Sequence, residues 1–262
     1  MINKNNINKC FDLINIIYWI NLDRSHDRRK HMEDTLKNIN VKNQRIPAVD
    51  GKKLSMEDLN KYLLFKPQKY KSNIEYACLL SHLNTILEFS KSNNNYALIL
   101  EDDITLDFSE YWNKSISDII SNAPKDCGII MIGHNTNYNI TDTYTAFNDD
   151  IGLWGAFSYI ITKKAATDFI NKIYKNGKFE LVDNYTHLAD HYIYQAIKTY
   201  MYKYPYFTIL TESSTIHNEN LKGHKNTQLK AKEMWLKIET FSNTSSFSIW
   251  IFIIIIILLF HF

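Results

Sequence analysis

A chain of 262 residues, 45% hydrophobic and 14% aromatic, can bury a sizeable core and suits one large domain with or without an appendage. A net charge of +2 gives no whole-protein attraction to nucleic acid, so that class of partner is set aside. Three widely separated cysteines, Cys10, Cys78 and Cys127, argue against a disulfide framework, show no zinc spacing among themselves and suit a reducing compartment.

The first residues, Met1 to Lys9, are polar and do not read as a signal peptide. The run Ile16–Ile20 is β-branched and aromatic, which predicts a strand. It ends in Asn21, Leu22, Asp23 and Arg24. Ser25 follows as the expected N-cap of a helix with Met32, Leu36 and Ile39 on one face. A strand, a polar loop and a helix N-terminus are a common way to hold a phosphate. Arg24 and Arg28 could reach such an anion with forked hydrogen bonds, or could simply lie on a solvated basic face. Residues Arg45–Gly51 predict a second short strand closing on an Asp-Gly turn. Ser55 with Asp58, and Ser72 with Glu75, are capping-box patterns opening two helices. The second is longer, with Ile74, Ala77, Cys78, Leu83, Ile86 and Leu87 available for burial. It also carries Ser81 and His82.

Tyr96–Leu100 is a continuous apolar run feeding straight into Glu101, Asp102 and Asp103. Such a run predicts a strand buried on both faces. Alternation would send Glu101 and Asp103 one way and Asp102 the other. Three carboxylates at the mouth of a buried strand repel each other, and a hard divalent cation such as Mn²⁺ or Mg²⁺ would keep them ionised together. In open α/β sheets ligands bind beyond the carboxyl ends of the strands. The alternative is a merely solvated acidic turn.

Further along, Tyr111–Ile120 predicts a helix and Cys127–Ile132 a buried strand ending at Gly133 and His134. Asn135–Asp150 is polar and predicts a surface loop. Gly152 and Gly155 flank Trp154 and permit close backbone approach to a ligand. They precede a strand over Ala156–Ile161 and a helix over Lys163–Tyr174. Asp190 and His191 open a helix to about Lys198. Met201–Phe207 is strand-like around Pro205, Thr211–Asn220 is a polar loop holding His217, and helix resumes over Gln228–Ile238. Lys222, His224 and Lys225 make a small basic patch. Strands alternating with helices predict an α/β fold with a mostly parallel central sheet flanked by helices. The division expected is a main domain over 1–240, a polar linker over 241–248 and a hydrophobic tail over 249–262. The tail falls short of the roughly 20 apolar residues of a spanning helix, so it is a candidate membrane anchor or a segment packed on the domain.

Taken in order, these blocks resemble glycosyltransferase family 25. The opening Ile20–Arg24 with Asp27–Arg29 is similar to the family's first motif, and Pro47–Gly51 to its next. Cys78–His82 resembles a Gly-Cys-x-x-Ser-His segment, with Ala77 where glycine is usual. Leu98–Asp103 resembles the acidic motif, Gly152–Ala165 the glycine-strand-helix block, and Asp190–Tyr192 a later acidic block. The resemblance implies a GT-A-like nucleotide-sugar transferase fold. It implies inverting transfer of a hexose, most commonly galactose, from a UDP-sugar to a glycan or protein hydroxyl, with Mn²⁺ (or Mg²⁺). On that reading Glu101, Asp103 and His217 hold the metal and Asp102 contacts the ribose. Asn21, Leu22, Arg24 and Arg28 line the uridine and diphosphate, supported from behind by Ser81 and His82. Gly152, Trp154 and Gly155 floor the donor and acceptor site. Asp190 is the base, by analogy with the acidic helix-start base of other GT-A enzymes, and His191 is the fallback. The expected location is the cytoplasmic side, with the tail as the candidate link to a membrane. The rival readings are a metal-dependent phosphoesterase and a catalytically inactive carbohydrate-binding protein of the same fold.

Overall fold

The computed structural model describes residues 4–64, 72–134, 142–148, 155–182, 184–210, 229 and 231–235. A 3₁₀ segment at Lys4–Phe11 leads into β1 (Ile16–Asn21), α1 (His26–Leu36), β2 (Asn43–Pro47), α2 (Met56–Tyr62), α3 (Asn73–Lys91) and β3 (Tyr96–Glu101). Then come β4 (Ile104–Thr105), α4 (Ile116–Ser121), β5 (Ile129–Met131), β6 (Tyr144–Ala146), β7 (Ser158–Thr162) and α5 (Lys163–Ile173). The short pair β8 (Tyr174–Lys175) and β9 (Lys178–Phe179) precedes α6 (Ala189–Ala196), β10 (Thr199–Tyr202) and β11 (Thr208–Ile209).

Seven strands form one sheet in the order β2-β1-β3-β7-β5-β10-β6. Strands β2, β1 and β3 are mutually parallel, β10 is parallel to β5, and β7 and β6 run against their neighbours. Five of the seven therefore point one way, and the expected mostly parallel α/β architecture is present. The register sets Ile20 opposite Glu101 and Asn21 opposite Pro47, so β2, β1 and β3 end side by side.

Alternation along the strands divides the core in two. Ile16, Tyr18, Ile20, Ala97, Ile99, Tyr159 and Ile161 pack with α3, α5 and α6. Ile17, Trp19, Leu98, Leu100 and Ile160 pack on the other face with Met32 and Leu36 of α1, with α4, and with Trp112. A strand buried on both faces has no polar side to show, which is why these runs read as continuously apolar. Helix α3 carries the capping box expected of Ser72 and Glu75. It buries Tyr76, Ala77, Leu79, Leu80, Leu83, Ile86 and Phe89.

Several local expectations are corrected. Ser25 precedes α1 but makes no side-chain cap, and Arg28 is one of the residues that the helix buries. Helix does not run from Tyr111: a 3₁₀ turn covers Ser109–Tyr111, and α4 starts only at Ile116 behind the Ser115 capping box. Trp112 between them is fully buried and stacks on Tyr206, and that packing overrides continued helix. The polar stretch 135–150 contributes the edge strand β6. β10 lies before Pro205 rather than around it, since proline cannot donate to a ladder. The interdomain linker and hydrophobic tail lie outside the described residues.

Candidate functional site

The carboxyl ends of β1 and β3 meet around Asn21, which is 1% exposed. Its Nδ2 donates to Asp102 Oδ2 at 2.6 Å and to the Ser25 carbonyl at 3.2 Å. Arg45 of β2 donates through Nε to Asn21 Oδ1 at 2.8 Å and through Nη2 to the Asn21 carbonyl at 3.1 Å, and also pairs with Asp23. From α1, Arg28 Nη1 donates to Asp102 Oδ1 at 2.7 Å and Nη2 lies 3.2 Å from Asp103 Oδ2. Arg28 thus faces carboxylates instead of the solvated surface that was one of its two expected settings. Burial works against its charge, but Asp103 and Asp102 more than compensate, and its pKa is raised. Arg24 pairs with Asp50 at 3.0 Å, holding that carboxyl below its usual range.

The acidic triplet does not keep strand alternation to its end. Glu101 turns toward α3 and Asp102 toward α1, as expected, but β3 stops at Glu101 and the chain enters a turn. Asp103 therefore shares Arg28 with Asp102. Asp102 and Asp103 are 7% and 9% exposed, so the triplet is not a solvated turn. Burial, then Glu101, push the Asp103 carboxyl up to about 7, with Arg28 pulling the other way. Its Oδ1 is buried and has no hydrogen-bond partner among the described residues. A buried carboxylate oxygen without a donor, beside two further carboxylates, suits a hard divalent cation, which would supply the missing charge. The fit is met by the chemistry of the donor set.

Asp190 is the second residue of α6. Its Oδ2 accepts from the Gly155 N–H at 3.0 Å and its Oδ1 from the His191 N–H at 2.9 Å. Tyr194, one helical turn on, donates to the Gly155 carbonyl at 3.1 Å. Gly155 has φ +112°, and a Cβ there would stand 2.6 Å from the Phe157 ring, so only glycine fits. Cys78 stands on α3. Burial raises its thiol pKa first, and the charges of Glu101, Asp190 and Asp103 raise it further, so these three carboxylates lie within electrostatic reach of one thiol.

His82 is buried, with one ring nitrogen 3.2 Å from Glu101 Oε1 and the other 3.2 Å from the Tyr159 hydroxyl. Ser81 donates to the Ala77 carbonyl and accepts from the Val49 N–H, tying α3 to the loop after β2. Leu22 lies in the loop after β1, half-buried. Gly152, Trp154 and His217 lie outside the described residues. Sequence reasoning passed over Arg45, Tyr159 and Tyr194. No spacing marks them, because their partners come from other elements of the sheet and from α6.

An α/β sheet with acidic and basic side chains gathered beyond parallel strand ends is of the class that binds ligands at that edge. The sequence model of glycosyltransferase family 25 (LPS biosynthesis protein) matches residues 14–193, and the chain belongs to this family. Among curated relatives, a Glycosyltransferase 25 family member of Drosophila melanogaster is 34% identical over 115 residues, 41% of this chain and 18% of that protein. Procollagen galactosyltransferase 1-B of Xenopus laevis is 27% identical over 128 residues, 45% of this chain and 21% of that protein. The matches thus take in about a fifth of these relatives. A crystal structure of a glycosyltransferase involved in glycosylation of the major capsid of PBCV-1 aligns over 82% of this chain and 98% of its own. Its TM-score of 0.36 and 8% identity are too distant to carry over any residue's role.

Proposed function

We propose that the chain transfers a hexose from a UDP-sugar to a glycan or protein hydroxyl, with inversion and with Mn²⁺ or Mg²⁺ at the acidic triplet. Galactose is the favoured sugar, since relatives such as the one in Xenopus laevis are named procollagen galactosyltransferases. The observation that carries the reading is the unpartnered, buried Asp103 Oδ1 at the strand ends.

A divalent cation, when bound, supplies Lewis-acid stabilisation of the departing diphosphate. Asp103 and Glu101 would hold it, and His217 is the further ligand expected. Asn21 and Arg28 fix the Asp102 carboxylate, which would contact the donor's ribose. Asp190 takes the proton of the acceptor hydroxyl. Each of its oxygens accepts one backbone N–H and keeps a lone pair for that proton. Its bond to the Gly155 N–H ties α6 to the start of the segment leading into β7. The hydrophobic tail is the part that would bring the enzyme to a membrane surface. Deleting residues 249–262 should then release the protein from membrane fractions, and unchanged partition would remove that role.

Released UDP, measured over a panel of nucleotide sugars with and without Mn²⁺, tests the reading. UDP-galactose turnover with Mn²⁺ is expected, abolished by chelator and by Asp103→Ala. Asp190→Asn should lower turnover by about 10²–10⁴-fold, the usual contribution of a general base. Undiminished turnover of Asp103→Ala, or in excess chelator, would sink the metal role. Hydrolysis of simple phosphate esters in place of transfer would favour the phosphoesterase.

A further inference from the structure

Cys78 and His82 stand four residues apart on α3, so both side chains leave the same face of the helix. Glu101 closes β3 opposite them. One donor atom from each lies within 4.8 Å of the other two. Tetrahedral Zn²⁺ with sulfur, nitrogen and oxygen ligands at about 2.0–2.3 Å needs donors about 3.3–3.8 Å apart. Small side-chain rotations supply that difference. His82 is 1% exposed and Cys78 and Glu101 are half-buried, so a rigid imidazole sits beside two partly covered ligands. The ring nitrogen of His82 facing Glu101 is already turned into the group. The other is held by the Tyr159 hydroxyl, and that ring contact fixes the imidazole plane. A histidine oriented by a buried outer partner is the usual setting of a metal ligand. The surrounding charges of Asp103, Asp190 and Glu75 favour a cation there.

We propose that Cys78, His82 and Glu101 form a binding site for Zn²⁺ or a similarly soft divalent ion, distinguished by its thiolate from the carboxylate-rich acidic site. A mixed thiolate, imidazole and carboxylate set selects such ions over Mn²⁺ and Mg²⁺. On binding, the Cys78 thiol loses its proton to solvent and sulfur donates to the metal, while the His82–Glu101 contact is replaced by two metal–ligand bonds. Three protein ligands would leave a fourth coordination position open. Glu101 belongs to both sites. Soft-metal loading therefore withdraws it from the acidic triplet and inhibits transfer, a consequence that rests on the proposed function, whereas binding itself does not.

Calorimetric titration of the full chain with Zn²⁺, and absorption spectroscopy after Co²⁺ addition, read the site without any turnover. One Zn²⁺ per chain and a thiolate-to-cobalt charge-transfer band are expected. Cys78→Ser should abolish the band and weaken Zn²⁺ binding by more than about 100-fold, exceeding the loss typical of an outer-shell partner. Its circular dichroism spectrum and melt should stay native. In that variant any Mn²⁺-supported turnover should persist but resist Zn²⁺. Equal Zn²⁺ affinity in Cys78→Ser, or a wild-type Co²⁺ form without thiolate absorption, would overturn the site. The second readout decides even if the variant fails to fold. Loss of turnover on every donor with these spectra intact would count against the transfer reading alone.

Discussion

Arg28 illustrates how one residue's surroundings settle its work. It is buried with both terminal nitrogens on carboxylates, so its removal leaves Asp102 and Asp103 without their cation in a poorly solvated place. Breaking a buried pair by removing one partner typically costs about 3–5 kcal/mol. Arg28→Met should show a loss of that order in urea denaturation, and Mn²⁺ should recover more stability in the variant than in the wild type. Asn21 and Arg45 belong to the same network, so their effects will not add to that of Arg28. His134 makes the pH-dependent counterpart. Burial pushes its pKa down to about 4 from the ordinary 6.5, and its Nε2 donates to the Tyr202 carbonyl at 3.1 Å. The folded state keeps this ring neutral, while the unfolded chain takes up a proton below about 6.5. The resulting loss of stability is absent above pH 6.5, grows as pH falls and is complete below about 4, where it reaches about 3 kcal/mol. Denaturation at pH 7, 5 and 4 should show a smaller acid loss in His134→Gln, which lacks that titration.

At the level of elements, α3 was the most legible. Its capping box follows from spacing alone, and so do Ala77, Leu83 and Ile86 of its buried face, whereas Ile74, Cys78 and Leu87 are only partly buried and Tyr76, Leu79, Leu80 and Phe89 fill the core unannounced. Ser72→Ala removes one side of that box and should cost about 1 kcal/mol, read as a shift in the thermal midpoint. Because α3 presents Cys78, Ser81 and His82, fraying there should also loosen the strand-end site. Helix α5 was equally readable: Ala166, Phe169, Ile170 and Ile173 are the buried face that its periodicity marks. Failures cluster where tertiary packing overrides local preference. Trp112 interrupts the helix expected from Tyr111, and β6, only three residues long, gains its place by pairing with β10. Alternation gave opposite sides for Glu101 and Asp102, while the turn that follows β3 lets Asp103 share Arg28 with Asp102 and still feel the charge of Glu101.

The whole molecule depends on chain beyond the family match. That match ends at residue 193, inside α6, yet β10 occupies the position between β5 and β6 in the sheet, and β11 pairs with β4 next to Asp103. Trp235 is fully buried against Tyr204 and Tyr206 and donates to the Pro205 carbonyl at 3.1 Å. A chain cut after residue 193 leaves β5 with an open edge and uncovers apolar surface on both faces, so cooperative unfolding should be lost. Circular dichroism melts of that truncation against the full chain measure this, and a sharp native-like transition would count against it. Order along the chain and apolar periodicity determined the α/β class and the strand-end position of the carboxylates, because these depend on contacts between residues close in sequence, and the ordered motif blocks carried the resemblance to the family. Only the folded sheet decided that Arg28 neutralises Asp102 and Asp103, that Asp190 grips Gly155, and that Cys78 meets Glu101. Each of those pairs joins elements whose approach is fixed by strand order and packing, and no local pattern encodes either.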